Sequence, residues 1–261
     1  MVTNLEALFN LSTVPHMRTP PSEHEYLYGL HPCLEALRAG RRACLELLLD
    51  EQAAPERFRP LLRAAEAAGV PVRMTHKQEL FNACGSKQHQ GVVLYASAFP
   101  YTDLNDSLFE APRLLLLDNI EDPRNAGAIL RSADLFGFKT VFMPLRGSTD
   151  IYPSVVKTSA GACEHLSIVR AANSTRYVKR AREVGYRIVA LDMQGDTALS
   201  DVPVTDPRPL LLVIGGEDKR IGQYILNEAD VIARIPQQGH INSLNASVAA
   251  GIALYHFSIL A

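Results

Sequence analysis

Apolar runs of strand length alternate with helix-length stretches of mixed polarity along most of the chain. In the first part, strands are predicted at residues 26–29, 44–49, 70–74 and 91–96, and helices at 31–39, 58–68 and 77–84. In the second part, strands are predicted at 114–118, 140–143, 166–169, 187–191, 210–214 and 231–235, and helices at 125–136, 153–160, 174–184, 221–228 and 245–257. The alternation predicts an α/β protein, in which a small α/β domain precedes an open, mostly parallel sheet with helices on both faces.

Proline and short polar residues mark the expected domain boundaries. Residues 1–24 contain three prolines and little periodicity, which predicts a flexible N-terminal extension. The small domain is expected to cover 25–97. A linker rich in Pro, Asp and Asn follows at 98–112, and the second domain covers 113–261.

Composition places the chain among globular proteins. It has 261 residues, of which 47% are hydrophobic and 21% are charged. No apolar stretch reaches the roughly 18 residues that a membrane span needs, and the first 25 residues lack the pattern of a secretory or transit signal, which favours a cytoplasmic location. The four cysteines are scattered without a C-x-x-C motif, so neither a disulfide framework nor a metal site is expected.

The net charge of −2 means that any contact with nucleic acid requires a local basic patch. Arg38, Arg41 and Arg42 form one cluster of basic residues, and three more arginines lie within 57–63. Such clusters either bind phosphates or cover ordinary solvated helix faces, and the sequence leaves both readings open.

Residues 114–131 contain the first candidate site. An apolar strand runs through a polar loop into a helix expected to begin at Asn125, and ligands of α/β proteins bind at such junctions. Arg131 lies off the apolar stripe of this helix but close to Leu135. It therefore either meets an anionic ligand or forms a salt bridge to an acid such as Asp134. Asn125 is either a helix cap or a ligand contact.

Two later loops also follow apolar strands. The first carries Gly215, Gly216 and Glu217, where glycines let a ligand approach the backbone closely. The second leads from Ile235 through Ser243 and Leu244 to Asn245, just before the last helix. Ser243 and Asn245 are either helix caps or hydrogen-bond donors to a ligand. The last helix is apolar nearly all round, which predicts burial between layers or subunits.

Several common sites are excluded by their missing motifs. The chain has neither G-x-G-x-x-G nor a P-loop, so a Rossmann dinucleotide site and a P-loop nucleotide site are not supported. It also lacks the G-x-S-x-G elbow of α/β-hydrolases and an acidic cluster for two catalytic metal ions.

The three segments, in this order, resemble the SpoU (TrmH-type) branch of the SPOUT RNA methyltransferases. Residues 117–131 look like the first motif of the family, 215–217 like the second, and 235–236 with 243–245 like the third. Tyr28-Gly29-Leu30-His31-Pro32 and His89-Gln90-Gly91-Val92 look like the opening and the end of an RNA-recognition domain. Such a domain is typical of the RlmB-like ribosomal RNA guanosine 2′-O-methyltransferases.

The resemblance implies S-adenosyl-L-methionine as methyl donor and a ribose 2′-hydroxyl in RNA as acceptor, most directly a guanosine of 23S ribosomal RNA. It implies a homodimer through the C-terminal domain, a trefoil knot within residues 210–257, and RNA rather than DNA, because DNA lacks the 2′-hydroxyl. By position, the cofactor contacts of the family fall on Gly215, Ile235 and Leu244. Its catalytic polar residues fall on Asn125, Arg131, Glu217, Ser243 and Asn245.

One loop departs from the family pattern. Where the family has glycines after the second-motif glutamate, this chain has Asp218, Lys219 and Arg220, which predicts a loop of different shape or charge. Two alternatives stay open: a transfer RNA guanosine 2′-O-methyltransferase, and a catalytically inactive RNA-binding or ribosome-assembly protein.

Overall fold

The computed structural model describes residues 23–216, 219–239 and 243–258, which form two sheets and their helices. The small domain consists of β1 (His24–Tyr28), α1 (Leu30–Ala39), β2 (Cys44–Asp50), α2 (Arg59–Ala68), β3 (Val72–Thr75), α3 (Lys77–Cys84) and β4 (Val92–Ser97). The larger domain consists of β5 (Arg113–Asp118), α4 (Pro123–Leu135), β6 (Thr140–Phe142), α5 (Pro153–Thr158), β7 (Ser167–Val169), α6 (Ser174–Glu183), β8 (Arg187–Leu191), β9 (Thr197–Ala198), β10 (Leu210–Gly215), α7 (Gln223–Glu228), β11 (Val231–Arg234) and α8 (Ala246–Ser258).

The small sheet is mixed and has the strand order β1-β4-β2-β3. Strand β4 is antiparallel to both β1 and β2, whereas β2 and β3 are parallel. One face buries alternate apolar residues against α1 and α2, and α3 covers Leu48 and Val93 on the other. The edge strand β1 packs beside α5 of the larger domain.

The larger sheet has the strand order β7-β6-β5-β10-β8-β11-β9, and all of its described pairs are parallel. Alternate side chains of β5 point to opposite layers: Leu115 and Leu117 pack with α4, α5 and α8, while Leu114 and Leu116 pack with α6 and α7. The strands β5 and β10 are therefore buried on both faces, as their continuous apolar runs require. Of the helices in the described ranges, none has the length and apolar character needed to cross a membrane.

The predicted fold class is confirmed, but the predicted start of α4 is wrong. The helix begins at Pro123 rather than at Asn125, and Asp122 caps it by accepting the N–H of Arg124 at 2.7 Å. Proline suits the first helical position because its missing N–H has no intrahelical partner there. Asn125 therefore lies inside the first turn, where its side chain is available for other contacts.

Two other expectations concern residues at the margins of the described ranges. The predicted extension at 1–24 lies outside the described residues up to residue 22, and His24 already belongs to β1. The knot implied for residues 210–257 spans two undescribed stretches, 217–218 and 240–242, and stays a prediction.

Two arginines of the small domain join it to the larger domain. The Arg42 guanidinium contacts the carboxylate of Glu164 at 3.0 Å, and both side chains are fully buried. It also contacts Glu25, while Arg41 donates to the carbonyls of Leu166 and Pro100 at 2.5 Å and 3.0 Å. The structure thus uses two of the three arginines of the first basic cluster to hold the domains together, which leaves them unavailable to RNA phosphates.

Candidate active site

The adjacent strands β5 and β10 end side by side, with Asp118 opposite Gly215. The buried Asp118 carboxylate accepts hydrogen bonds from Ser174 Oγ at 2.5 Å and from the Gly222 N–H at 3.1 Å. It thereby ties the start of α6 and the loop after β10 to one point at the carboxyl edge of the sheet. Asp118 is not among the predicted site residues, although its position as the last residue of a buried strand is a usable signal.

Gly216 allows the loop after β10 to cross the loop after β5. A Cβ at this position would lie 2.0 Å from the carbonyl oxygen of Asn119, which no side chain could tolerate. Asn119 has a positive φ of 59°, a conformation that asparagine adopts more readily than most residues. Its side chain donates to the Arg220 carbonyl at 3.2 Å and so fixes the crossing.

A cavity of about 150 Å³ opens beside this crossing, between the ends of β8, β10 and β11 and the start of α8. Its wall is apolar for the most part, with one charged pair. The lining residues are Leu191, Asp192, Met193, Ile214, Gly215, Gly216, Arg220, Ile221, Ile235, Gln237, Ser243, Leu244, Ala246 and Ala249. The cavity thus brings together the predicted cofactor contacts Gly215, Ile235 and Leu244, with Ser243 among them.

Two basic residues of the loop after β10 pair with neighbouring acids. Arg220 donates to both carboxylate oxygens of Asp192, with the Nε contact at 3.2 Å, and Lys219 pairs with Glu121 at 2.7 Å. Arg220 and Asp192 both line the cavity, and sequence reasoning missed the second of them. The available signal was its position, because Asp192 directly follows β8 at the same edge of the sheet.

A second cavity, of about 200 Å³, adjoins the first and shares Gly216 and Ala246 with it. Its wall is polar and includes Asn125, whose Oδ1 accepts a hydrogen bond from Asn245 Nδ2 at 2.9 Å. The Oδ1 of Asn245 caps α8 by accepting the N–H of Ser247 at 2.9 Å. Asn245 therefore serves both roles that its position suggested, as a cap and as a side-chain partner within the site.

Arg131 lies two turns into α4 and its side chain is exposed. Asp134, the salt-bridge partner considered for it, pairs instead with Lys139 at 2.5 Å. The side chain of Arg131 makes no hydrogen bond or ion pair with another described residue. Arg131 lines neither of these two cavities. Glu217 lies outside the described residues.

The arrangement combines two kinds of pocket at one sheet edge. The mostly apolar cavity with convergent backbone and charged groups is typical of a site for a small organic cofactor. The polar cavity next to it can admit a second reactant. Within the described ranges, no group of three His, Cys, Asp or Glu side chains is placed to hold a metal ion.

Matches to known protein families identify the class of enzyme to which this chain belongs. Residues 112–255 match the SpoU rRNA Methylase family, and residues 26–102 match the RNA 2′-O ribose methyltransferase substrate binding domain. The chain belongs to the SpoU methylase family. Its two domains together are those of an RNA 2′-O-ribose methyltransferase.

Individual relatives support the same assignment. An uncharacterized tRNA/rRNA methyltransferase from Mycobacterium avium (strain 104) is 37% identical over 94% of this chain and 79% of its own length. The SpoU methyltransferase AviRb from Streptomyces viridochromogenes is 27% identical with a TM-score of 0.72, covering 90% of this chain and 89% of AviRb, and was also solved in complex with AdoMet. The AdoMet-bound rRNA methyltransferase from Sinorhizobium meliloti shares the fold, with a TM-score of 0.74 at 24% identity over 90% of this chain and 87% of that chain.

Proposed function

We propose that this enzyme transfers a methyl group from S-adenosylmethionine to the ribose 2′-hydroxyl of a guanosine in large-subunit ribosomal RNA. The observation that carries the proposal is the pair of adjoining cavities that share Gly216 and Ala246. The mostly apolar cavity suits the cofactor, and the polar one beside Asn125 suits the ribose. Holding both reactants in adjacent pockets supplies the alignment that a direct displacement needs.

The residues of the first cavity fit the proposed cofactor. Leu191, Ile235 and Leu244 offer an apolar surface for an adenine ring, and Gly215 and Gly216 also line the cavity. The Arg220–Asp192 pair supplies one charge of each sign, which matches the carboxylate and ammonium of the methionine end. When bound, S-adenosylmethionine supplies an electrophilic methyl group on a sulfonium.

Arg131 serves as a fixed cation in this proposal. An arginine stays protonated in proteins, so it stabilises the developing alkoxide or grips a neighbouring phosphate rather than removing a proton. The proton of the 2′-hydroxyl then passes to a phosphate, to water or to Glu217. Asn125 and Asn245, fixed by their mutual hydrogen bond, orient the ribose, with Ser243 beside the cofactor.

A second copy of this chain completes the site. Leu135 of α4 is 71% exposed, and α8 presents Val248, Ile252 and Tyr255 to solvent at helical spacing. This apolar surface lies on α8 and at the end of α4, the helix that carries Arg131, and the two helices pack together. It favours a homodimer in which Arg131 of one subunit reaches the cavities of the other. The expected assembly is measurable by light scattering.

The test of the proposed function is Arg131→Ala, assayed on ribosomal RNA from cells that lack this protein. We expect turnover to fall at least about 100-fold, since the charge acts on the transition state, while calorimetric titration shows S-adenosylmethionine affinity largely retained. Arg176→Ala is the matched control, because Arg176 is exposed on α6 at the opposite face of the sheet. Near-normal methylation by Arg131→Ala would refute the assignment of Arg131.

The same experiments separate the alternatives. Failure of the wild-type protein to bind S-adenosylmethionine would favour a catalytically inactive RNA-binding or ribosome-assembly protein. Methylation of transfer RNA but not of ribosomal RNA would favour the transfer RNA enzyme. A substrate with 2′-deoxyribose at the target nucleotide should give no product, because the acceptor oxygen is missing. Mapping of 2′-O-methyl sites in the same cells would identify the target nucleotide.

A further inference from the structure

An aromatic cluster lies on the face of the small sheet that α3 covers only in part. Tyr26 of β1 stands directly opposite Tyr95 of β4, with ring centroids 4.7 Å apart and an interplanar angle of 27°. The ring of His24 lies 5.3 Å from that of Tyr95 at an angle of 36°. We call Tyr26, Tyr95 and His24 the aromatic platform.

The sheet places the platform beyond the cover of α3. The next row on the same face, Tyr28 and Val93, packs with residues of α3, whereas Tyr26 is 37% exposed. Within the described residues, β1 is the edge strand of its sheet, and α5 packs beside it. Tyr26 nevertheless keeps part of its surface open to solvent at the edge of the small domain.

The platform is continuous with the catalytic domain through the junction between the domains. Two residues along β1 from Tyr26, the ring of Tyr28 faces the Lys157 ammonium at 5.8 Å. Lys157 belongs to α5, and α5 packs both on β1 and on α4, the helix of Asn125 and Arg131. Lys157 also donates to Gln90 Oε1 at 2.9 Å, which holds the cation at the junction.

The charges nearest the platform come from one ion-pair cluster and from Lys157. Glu46, the strand neighbour of Tyr95, pairs with Arg73 at 2.9 Å, and the same guanidinium also pairs with Glu79 at 2.8 Å. Lys157 adds a positive charge on the side of the aromatic platform nearest the active site. A row of aromatic faces leading to a cation is the arrangement that single-stranded nucleic acid uses, with stacked bases and contacted phosphates.

We propose that the aromatic platform binds an unpaired nucleotide of the RNA substrate, with its base stacked on Tyr26 and the chain leading past Lys157 toward the active site. The choice of RNA as occupant rests on the proposed function. An unpaired base is required because bases in a duplex keep their faces covered by neighbouring pairs. The platform therefore selects RNA whose target lies near a loop, a bulge or a single-stranded end.

The test measures binding of a fluorescein-labelled 12-nucleotide RNA without self-complementarity to the full chain, by fluorescence anisotropy. We expect Tyr26→Ala to weaken binding about 5- to 150-fold, the range measured for loss of one base–aromatic stack. Tyr26→Phe should bind like the wild type, because phenylalanine keeps the π-face. Tyr224→Ala is the matched control, since Tyr224 lies on α7 and is 39% exposed.

Three further readouts keep the outcome decisive. Tyr26→Ala should bind a fully paired RNA of the same length nearly as tightly as the wild-type protein does. An equal loss of affinity for both RNAs, or no loss for the single strand, would overturn the proposal. Photocrosslinking of wild-type protein with 5-iodouridine RNA should label β1 or β4, and labelling only elsewhere would overturn it independently of variant folding. Calorimetry with S-adenosylmethionine reports separately on the proposed function, because the platform variants leave the cofactor cavity intact.

Discussion

His89 is a buried histidine whose ring must stay neutral in the folded chain. Its Nδ1 accepts the N–H of Gly91 at 3.0 Å, a bond that protonation of Nδ1 would abolish. Burial lowers the pKa of His89 below its ordinary value of 6.5, in line with this geometry.

We therefore expect stability to fall as the pH drops below about 6.5, because the unfolded histidine binds a proton that the folded one does not. The loss is at most about 1.4 kcal/mol per pH unit for one proton. Urea unfolding at pH 7, 6 and 5 measures it, with His89→Asn as the control that keeps an acceptor but does not titrate. A ring pKa at or above 6.5, measured by NMR titration, would contradict the prediction.

At the scale of single residues, the sequence often left two roles open for the same side chain. Asn245 was predicted to be either a cap or a site residue, and its two side-chain atoms do both. The sequence correctly predicts that Arg131 lies off the apolar stripe of its helix. Only the structure shows that Asp134 forms its salt bridge with Lys139. Which acid pairs with which base depends on distances across loops, and spacing along one helix does not determine those distances.

At the scale of elements, α4 and α5 approach closely at Gly127. A Cβ on Gly127 would lie 2.7 Å from Thr158 Cβ and 2.9 Å from the Val155 carbonyl oxygen. By contrast, a Cβ on Gly251 in α8 would meet its nearest neighbour, Ser132 Oγ, at an ordinary 3.8 Å.

The two helical glycines should thus respond oppositely to alanine. Gly127→Ala should destabilise the chain by about 1–3 kcal/mol, because backbone and a β-branched side chain must move. Gly251→Ala should be neutral or stabilise by up to about 1 kcal/mol, through helix propensity alone. Denaturant unfolding of both variants checks this, and similar stabilities would show that the α4–α5 contact is softer than its distances indicate.

Most helices and strands follow from the sequence, whereas their arrangement does not. The predicted strand at 187–191 matches β8, and the predicted helix at 77–84 matches α3. The two-residue strand β9 was missed, because so short a pairing leaves no periodic pattern. The position of β10 between β5 and β8 depends on burial of all three strands together, which no local pattern encodes.

At the scale of the whole molecule, the buried Arg42–Glu164 pair connects two domains that the sequence presented as separate units. Arg42→Ala leaves the Glu164 carboxylate buried without its partner, so we expect a loss of about 3–5 kcal/mol. Arg38→Ala is the matched control, since the exposed Arg38–Glu35 pair contributes at most about 1 kcal/mol. Thermal and denaturant unfolding measure both, and equal small effects would contradict a role for Arg42 in joining the domains.

The sequence could not reveal this junction. Arg38, Arg41 and Arg42 read equally well as an RNA-binding patch, because a basic residue carries no mark of its partner in the distant sequence. Glu164 lies more than 100 residues away and in the other domain. Only the packing of α1 against Ala162–His165 at the junction decides that Arg41 and Arg42 face protein rather than solvent.

The strand order also has a consequence for synthesis of the chain. The centre of the larger sheet is β10, which leaves the ribosome about 90 residues after β5. At about 5–20 residues per second, β5 waits roughly 5–20 seconds for its inner neighbour, with one hydrogen-bonding edge open throughout. Exposed strand edges invite wrong pairing, so newly made chains of this protein should depend on chaperone protection during that interval more than proteins whose sheets grow outward from the first strand.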